Sequence, residues 1–212
     1  ARFFRILIVP IIFLVASVYT LSDYGINWDE PKHLMRGQAY LHYILTGNKN
    51  FLDIPSLPQP KGAPDYVDFN VMDATNSSVA KSNIIKDPNF RRSYFQSDFY
   101  TFDYFLTKHI HTHPEVNDLM LAVSNYIFYQ KFGLIGDLES YHFFIVLITF
   151  ALILGVGLWV YKNFGILATV VTESSLAFYP LVFAESHFNV KDPILMSFFG
   201  LAILLFWFGF TK

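Results

Sequence analysis

Four stretches of about twenty apolar residues dominate this chain. A stretch of that length crosses the roughly 30 Å hydrocarbon core of a bilayer as a single helix. They run over about 3–21, 143–161, 166–184 and 193–210. Composition agrees: only 15% of residues are charged, against roughly 25% in a soluble domain. The first stretch is too long for the apolar part of a signal peptide. Ser22-Asp23-Tyr24 also lacks the small-residue pattern of a cleavage site, so the stretch reads as a retained helix. A net charge of −2 offers no basic surface for nucleic acid. The absence of cysteine excludes disulfides and thiolate metal sites within the chain.

The short loops set an expected orientation. Arg2, Arg5, Lys162 and Lys212 gather on one side, while the turn after the third stretch pairs Lys191 with Glu185 and Asp192. Lysine and arginine favour the cytoplasmic side. The N-terminus is therefore expected inside a cell membrane, with the long segment 23–141 and the turn around Asp192 on the outer (periplasmic, extracellular or lumenal) face. The fold class that follows is mainly α: a polytopic membrane helix bundle of about four transmembrane helices with a long outer loop. The division is 1–22 as the first membrane helix, 23–141 as the outer loop or cap, and 142–212 as membrane helices two to four. An Ala start and an end on an apolar stretch suggest the N-terminal part of a larger membrane domain.

Two interfacial amphipathic helices are predicted in the outer loop, near 31–46 and 114–132. In the first, Pro31 suits a helix start with Asp29 or Glu30 as cap, and Gly47 suits its end. In the second, Val116, Leu119, Met120, Val123 and Ile127 recur at helical spacing and Gly133 is the stop. These apolar stripes are expected to face lipid or the bundle. Between the helices, five prolines exclude long regular elements, and aromatics alternate with aspartates in the manner of a sugar-binding cap.

Several residues can carry chemistry. Asp29 and Glu30 stand at a helix entrance, where the dipole and free N–H groups favour carboxylates. Asp192, in Asn189-Val190-Lys191-Asp192-Pro193, repeats the pattern of an acid before a proline on the same expected face, and either acid can be a plain helix cap. His187 and Lys191 flank it and can pair with a phosphate or a carboxylate. His109, His111 and His113 alternate; as a group they can bind a divalent metal, or His113 can simply place the second amphipathic helix. Glu173 is an ionisable residue at expected membrane depth, a functional-site signal by default. The outer-loop sequon Asn76-Ser77-Ser78 is a glycosylation acceptor in a secretory-pathway setting.

Trp28-Asp29-Glu30-Pro31 after a first membrane helix resembles the start of the GT-C glycosyltransferases. The nearest branch resembles the protein O-mannosyltransferases and the bacterial transferases that use a polyprenyl-phosphate sugar. The likeness continues in order through His113-Pro114, Gly136-Asp137-Leu138-Glu139-Ser140, Phe178-Tyr179-Pro180 and Ser186-His187-Phe188-Asn189-Val190-Lys191-Asp192-Pro193. It leaves about 48–112 uncovered. The resemblance implies a membrane transferase that moves a sugar from a lipid-phosphate donor to a protein, lipid or glycan hydroxyl. Asp29 would be the base, with Glu30 assisting. Asp192 would support the site or, as in some members, bind a metal; His187, Lys191 and His113 join it as substrate-binding candidates. The resemblance names no certain cofactor and leaves room for a divalent metal, with the polyprenyl-phosphate sugar as donor substrate. The competing reading is a non-catalytic transporter or receptor fragment with a sugar- or peptide-binding cap.

Overall fold

A computed structural model describes residues 2–54, 91–97, 99–107 and 115–210. Among them the chain is mainly helical and contains no strand. The helices are α1 (Arg2–Thr20), α2 (Glu30–Thr46), α3 (Phe102–Thr107), α4 (Glu115–Asn125), α5 (Asp137–Phe164), α6 (Ile166–Ala177), α7 (Pro180–Glu185) and α8 (Asp192–Phe210). A π-helical turn, Tyr126–Lys131, continues α4. The chain forms two compact units, one of residues 1–24 with 142–212 and one of residues 25–141.

The first unit holds the apolar helices. Three are long and apolar enough to cross a membrane: 4–23, 137–164 and 192–210. At about 1.5 Å per residue, the 28 residues of α5 exceed what a bilayer core requires. Its first turn belongs to the other unit. The third apolar stretch does not form the single helix expected over about 166–184. It breaks after Ala177 into α6 and α7, and the 12 residues of α6 are too few to span. The cause is Pro180. It has no N–H to give to a preceding carbonyl, and its ring drives Tyr179 into extended backbone (φ −65°, ψ 117°).

Val9, Phe13 and Leu21 pack with Val146, Ile153 and Ala177 to form this unit's core. Phe183 meets Phe13 edge-on at 6.0 Å. Glycines bring α5 and α8 together: a Cβ at Gly200 would meet Leu152 at 2.6 Å, and one at Gly155 would meet Leu201 at 3.1 Å. Close approach through small residues is how helices pack where lipid removes the hydrophobic drive. On α8, Leu195, Phe199, Ile203, Leu205, Phe206 and Phe210 are each more than half exposed. A surface that apolar is far from that of a soluble monomer and suits contact with lipid or further helices.

The second unit is built on α2 against α4. Gly37 makes this possible, because a Cβ there would fall on the Asp118 main-chain carbonyl. Phe51, Phe95, Leu121, Tyr129, Leu138 and Tyr141 fill the core. Gly47 (φ 77°) closes α2 through its N–H to the Tyr43 carbonyl at 2.9 Å, and Gly133 (φ 60°) closes the π turn. The buried faces carry polar as well as apolar residues. Val116 and Met120 are exposed, whereas Asn117, Asp118, Ser124 and Asn125 are buried together with Leu121 and Ala122. On α2 His33, Arg36 and Gln38 are buried together with Leu34, Met35, Ala39 and Leu41, while Ile44 and Leu45 are exposed. The polar groups turn inward because they satisfy one another.

Candidate functional site

The entrance to α2 separates the roles of its two acids. Glu30 is fully buried, and its carboxylate accepts the Asn27 N–H at 2.5 Å. Asn27 in turn accepts the Glu30 N–H at 3.3 Å through its carbonyl and the Trp28 N–H at 2.7 Å through its side chain. This back-reach of an acid over three residues is one half of a capping box. Asp29 occupies the cap position, yet its side chain makes no capping hydrogen bond. Its carboxylate is partly exposed beside Trp28, whose ring is 80% exposed. Glu30 is thus the buried acid and Asp29 the partly exposed one.

One turn further along α2, Asp118 of α4 receives two partners. Arg36 Nε donates to Asp118 Oδ2 at 2.5 Å, and His33 Nδ1 lies 2.8 Å from Asp118 Oδ1. All three side chains are buried. Such a pair survives burial only with close geometry and further hydrogen bonds. Tyr40 donates to Glu115 at 3.1 Å. Burial, with the charge of Glu115, pushes the Tyr40 hydroxyl up to about 12. The sequence reading missed this cluster. Its signal was present: His33 and Arg36 are three residues apart and so share a face of α2.

A second cluster is made of carboxamides. The Gln38 amide donates to Asn125 at 3.0 Å and to Tyr141 at 2.6 Å, and its oxygen accepts from Gln96 at 3.0 Å and Gln130 at 3.1 Å. Asn125 donates to Asp137 at 2.7 Å and Ser140 at 2.7 Å. The cluster borders a cavity of about 380 Å³ that Gln38, His42, Asp53, Gln96, Tyr126 and Gln130 help to line. There His42 Nε2 lies 2.9 Å from Asp53 Oδ1, and the Asn48 amide donates to Asp53 Oδ2 at 2.9 Å. Burial works against the charge of Asp53, but the Asn48 amide, its own N–H and His42 hold its carboxyl below the usual range.

The turn between α7 and α8, in the other unit, is organised by a residue that sequence reasoning passed over. Asn189 Oδ1 accepts the Lys191 N–H at 3.0 Å and the Asp192 N–H at 3.2 Å. Its amide donates to Glu185 at 2.6 Å and Asp192 at 3.0 Å. Asn189 therefore caps α8, and the expected cap Asp192 is an exposed acceptor beside it.

His187 is fully buried, stacked on Tyr24 at 4.3 Å. Its Nδ1 lies 2.6 Å from the Phe183 carbonyl, and its Nε2 lies 3.1 Å from the Thr20 hydroxyl and 3.2 Å from the Ser17 carbonyl. Burial holds this imidazole below its ordinary pKa despite the Phe183 and Ser17 carbonyls. The expected surface ligand is instead an internal tie between α1 and the α7–α8 turn. Lys191 remains partly exposed. Asp29 and Asp192 belong to different units.

His109, His111 and His113, the sequon and most of the proposed cap lie outside the described residues. Among the described residues, no group of three or more His, Asp or Glu is placed to hold a metal. Glu173 is fully buried in α6, and neither carboxyl oxygen has a hydrogen-bond partner among the described residues. Comparison with family models, with curated proteins and with solved structures finds no match for the chain.

Proposed function

We propose that the chain is part of an integral-membrane glycosyltransferase of the GT-C type, moving a sugar from a polyprenyl-phosphate carrier to an acceptor hydroxyl. The observation that carries this reading is the split at the α2 entrance. Glu30 is buried and bonded at the helix start, while Asp29 stands beside it, partly exposed and without a side-chain capping bond. A hydroxyl is a poor nucleophile until a carboxylate within hydrogen-bond reach takes its proton. Asp29 removes that proton as the acceptor oxygen bonds to the anomeric carbon. The bond from that carbon to the carrier phosphate breaks, the configuration inverts, and the phosphate leaves with the electron pair. The departing phosphate needs nearby positive charge. Lys191 and Asp192, in the other unit, stay the substrate-binding candidates that the family resemblance implies, and the buried His187 holds the turn between α7 and α8. The cavity of carboxamides with His42, Asp53 and Tyr126 has the mixture of acceptors, donors and ring surface that suits hydroxyl-rich ligands.

In this reading the bundle has about four membrane segments, the third being the broken pair α6–α7. The N-terminus is cytoplasmic, and the α2 entrance and the α7–α8 turn are on the outer face. α2 and α4 lie near the membrane surface.

A transport function is the second reading, and Glu173 is the observation that favours it. A partnerless carboxyl inside an apolar helix is costly and often functional. Asp29→Asn in the full-length protein separates the two. Loss of general base catalysis slows sugar transfer by about 10²–10⁴-fold, with membrane insertion unchanged. Full transfer activity in Asp29→Asn, measured with radiolabelled polyprenyl-phosphate sugars, would sink the mechanism.

A further inference from the structure

Arg5 of α1, Tyr161 and Lys162 at the end of α5, and Gly165 with Ile166 at the start of α6 line a second cavity of about 380 Å³. All belong to the first unit. Arg5 and Lys162 are exposed, and among the described residues neither has a carboxylate within ion-pairing distance. The Lys162 ammonium lies 5.6 Å from the Phe208 ring centroid and stays exposed. Gly165 opens α6 with positive φ (83°) and no side-chain cap, and a Cβ at that position would meet only open space. The first N–H groups of a helix have no acceptor within it, so the cavity collects two cationic side chains and a positive helix end. The sequence neighbours of these lining residues are apolar and exposed: Phe4 is 69% exposed, Phe164 67% and Leu167 78%. A phosphate attached to acyl chains can use charge and apolar surface together; a free inorganic anion uses the charge alone.

We propose that this cavity binds the phosphate of an anionic membrane lipid, on the face where Arg5 and Lys162 lie, with its chains against Phe4, Phe164 and Leu167. Basic pockets between membrane helices hold lipid headgroups by this combination of charge and apolar contact. The site rests on the membrane-spanning reading of the helices and is independent of sugar transfer.

The test uses the full chain in nanodiscs of equal phosphatidylglycerol and phosphatidylcholine, with retained lipid counted by native mass spectrometry. Carbonate extraction first establishes insertion, and release of the protein by carbonate overturns the proposal. The expected result is preferential retention of phosphatidylglycerol. The preference falls about fivefold in Arg5→Gln or Lys162→Gln and about 25-fold in the double variant, from the usual worth of a cation near an anionic surface. Lys131→Gln, an exposed lysine of the other unit, leaves it unchanged. Equal retention of both lipids, or wild-type preference in the double variant, refutes the site. Displacement of the lipid by millimolar inorganic phosphate alone refutes the lipid assignment in favour of a free anion.

Discussion

Replacing Asp118 by Asn tests the centre of the second unit with almost no change of volume. The substitution removes the charge that faces Arg36 at 2.5 Å and turns one oxygen into an amide group that donates rather than accepts. Arg36 is 3% exposed and Asp118 1%, so water cannot take over the lost role. Breaking a buried pair by removing one partner costs about 3–5 kcal/mol, because the remaining charge stays buried without its counter-charge. That is a large share of the roughly 5–15 kcal/mol that holds a domain folded. Replacing both partners by apolar residues of similar size, Arg36→Met with Asp118→Leu, restores most of the loss, because such pairs cost nearly as much desolvation as they return. The assay is denaturant unfolding of the detergent-solubilised protein, followed by pulse proteolysis of the α2–α4 region. Asp103→Asn serves as comparator, since the Lys49–Asp103 pair is half exposed on both sides and its loss leaves the midpoint unmoved. A cost for Asp118→Asn below about 1 kcal/mol, or a double variant no more stable than the single one, would refute the argument from burial.

Two further outcomes follow from the packing. Gly37→Ala destabilises the α2–α4 contact by about 1–3 kcal/mol, because the added carbon must push the Asp118 main chain away; an unchanged unfolding midpoint would show that the helices do not approach so closely. His187 gives the first unit a pH dependence. Its folded pKa lies below the unfolded value of about 6.5, so the unfolded chain binds the proton first. The stability it contributes is complete above about pH 6.5 and is lost as pH falls through the lower folded value. Unfolding midpoints between pH 7.5 and 5.5 should decline in the wild type and flatten in His187→Phe; a midpoint that rises on acidification contradicts the buried neutral ring.

The helix ends around the candidate site were legible because their signals are local. The acid pair before Pro31 marks a helix entrance, and Gly47 and Gly133 mark helix ends, since each reflects backbone geometry within a few residues. The division of labour between Asp29 and Glu30 was not legible, because adjacent carboxylates are equivalent until one of them is buried. Capping of α8 by Asn189 was hidden behind the more conspicuous Asp192. The break at Tyr179 was half visible: Pro180 announced a distortion, but a kinked helix and two separate helices share one sequence pattern.

By itself the sequence determined which stretches are apolar enough to leave water, where helices start and stop, and that two acids stand at helix entrances. Tertiary structure decided which face of each amphipathic helix is buried. Hydrophobic periodicity marks an apolar stripe but not which polar residues join it inside: His33, Arg36 and Asp118 are buried alongside Leu34, Met35, Leu121 and Ala122. The reason is that Asp118, Arg36 and His33 complete one another only when the two helices are brought together. No residue along one helix can report a hydrogen-bond partner that lies more than eighty positions away.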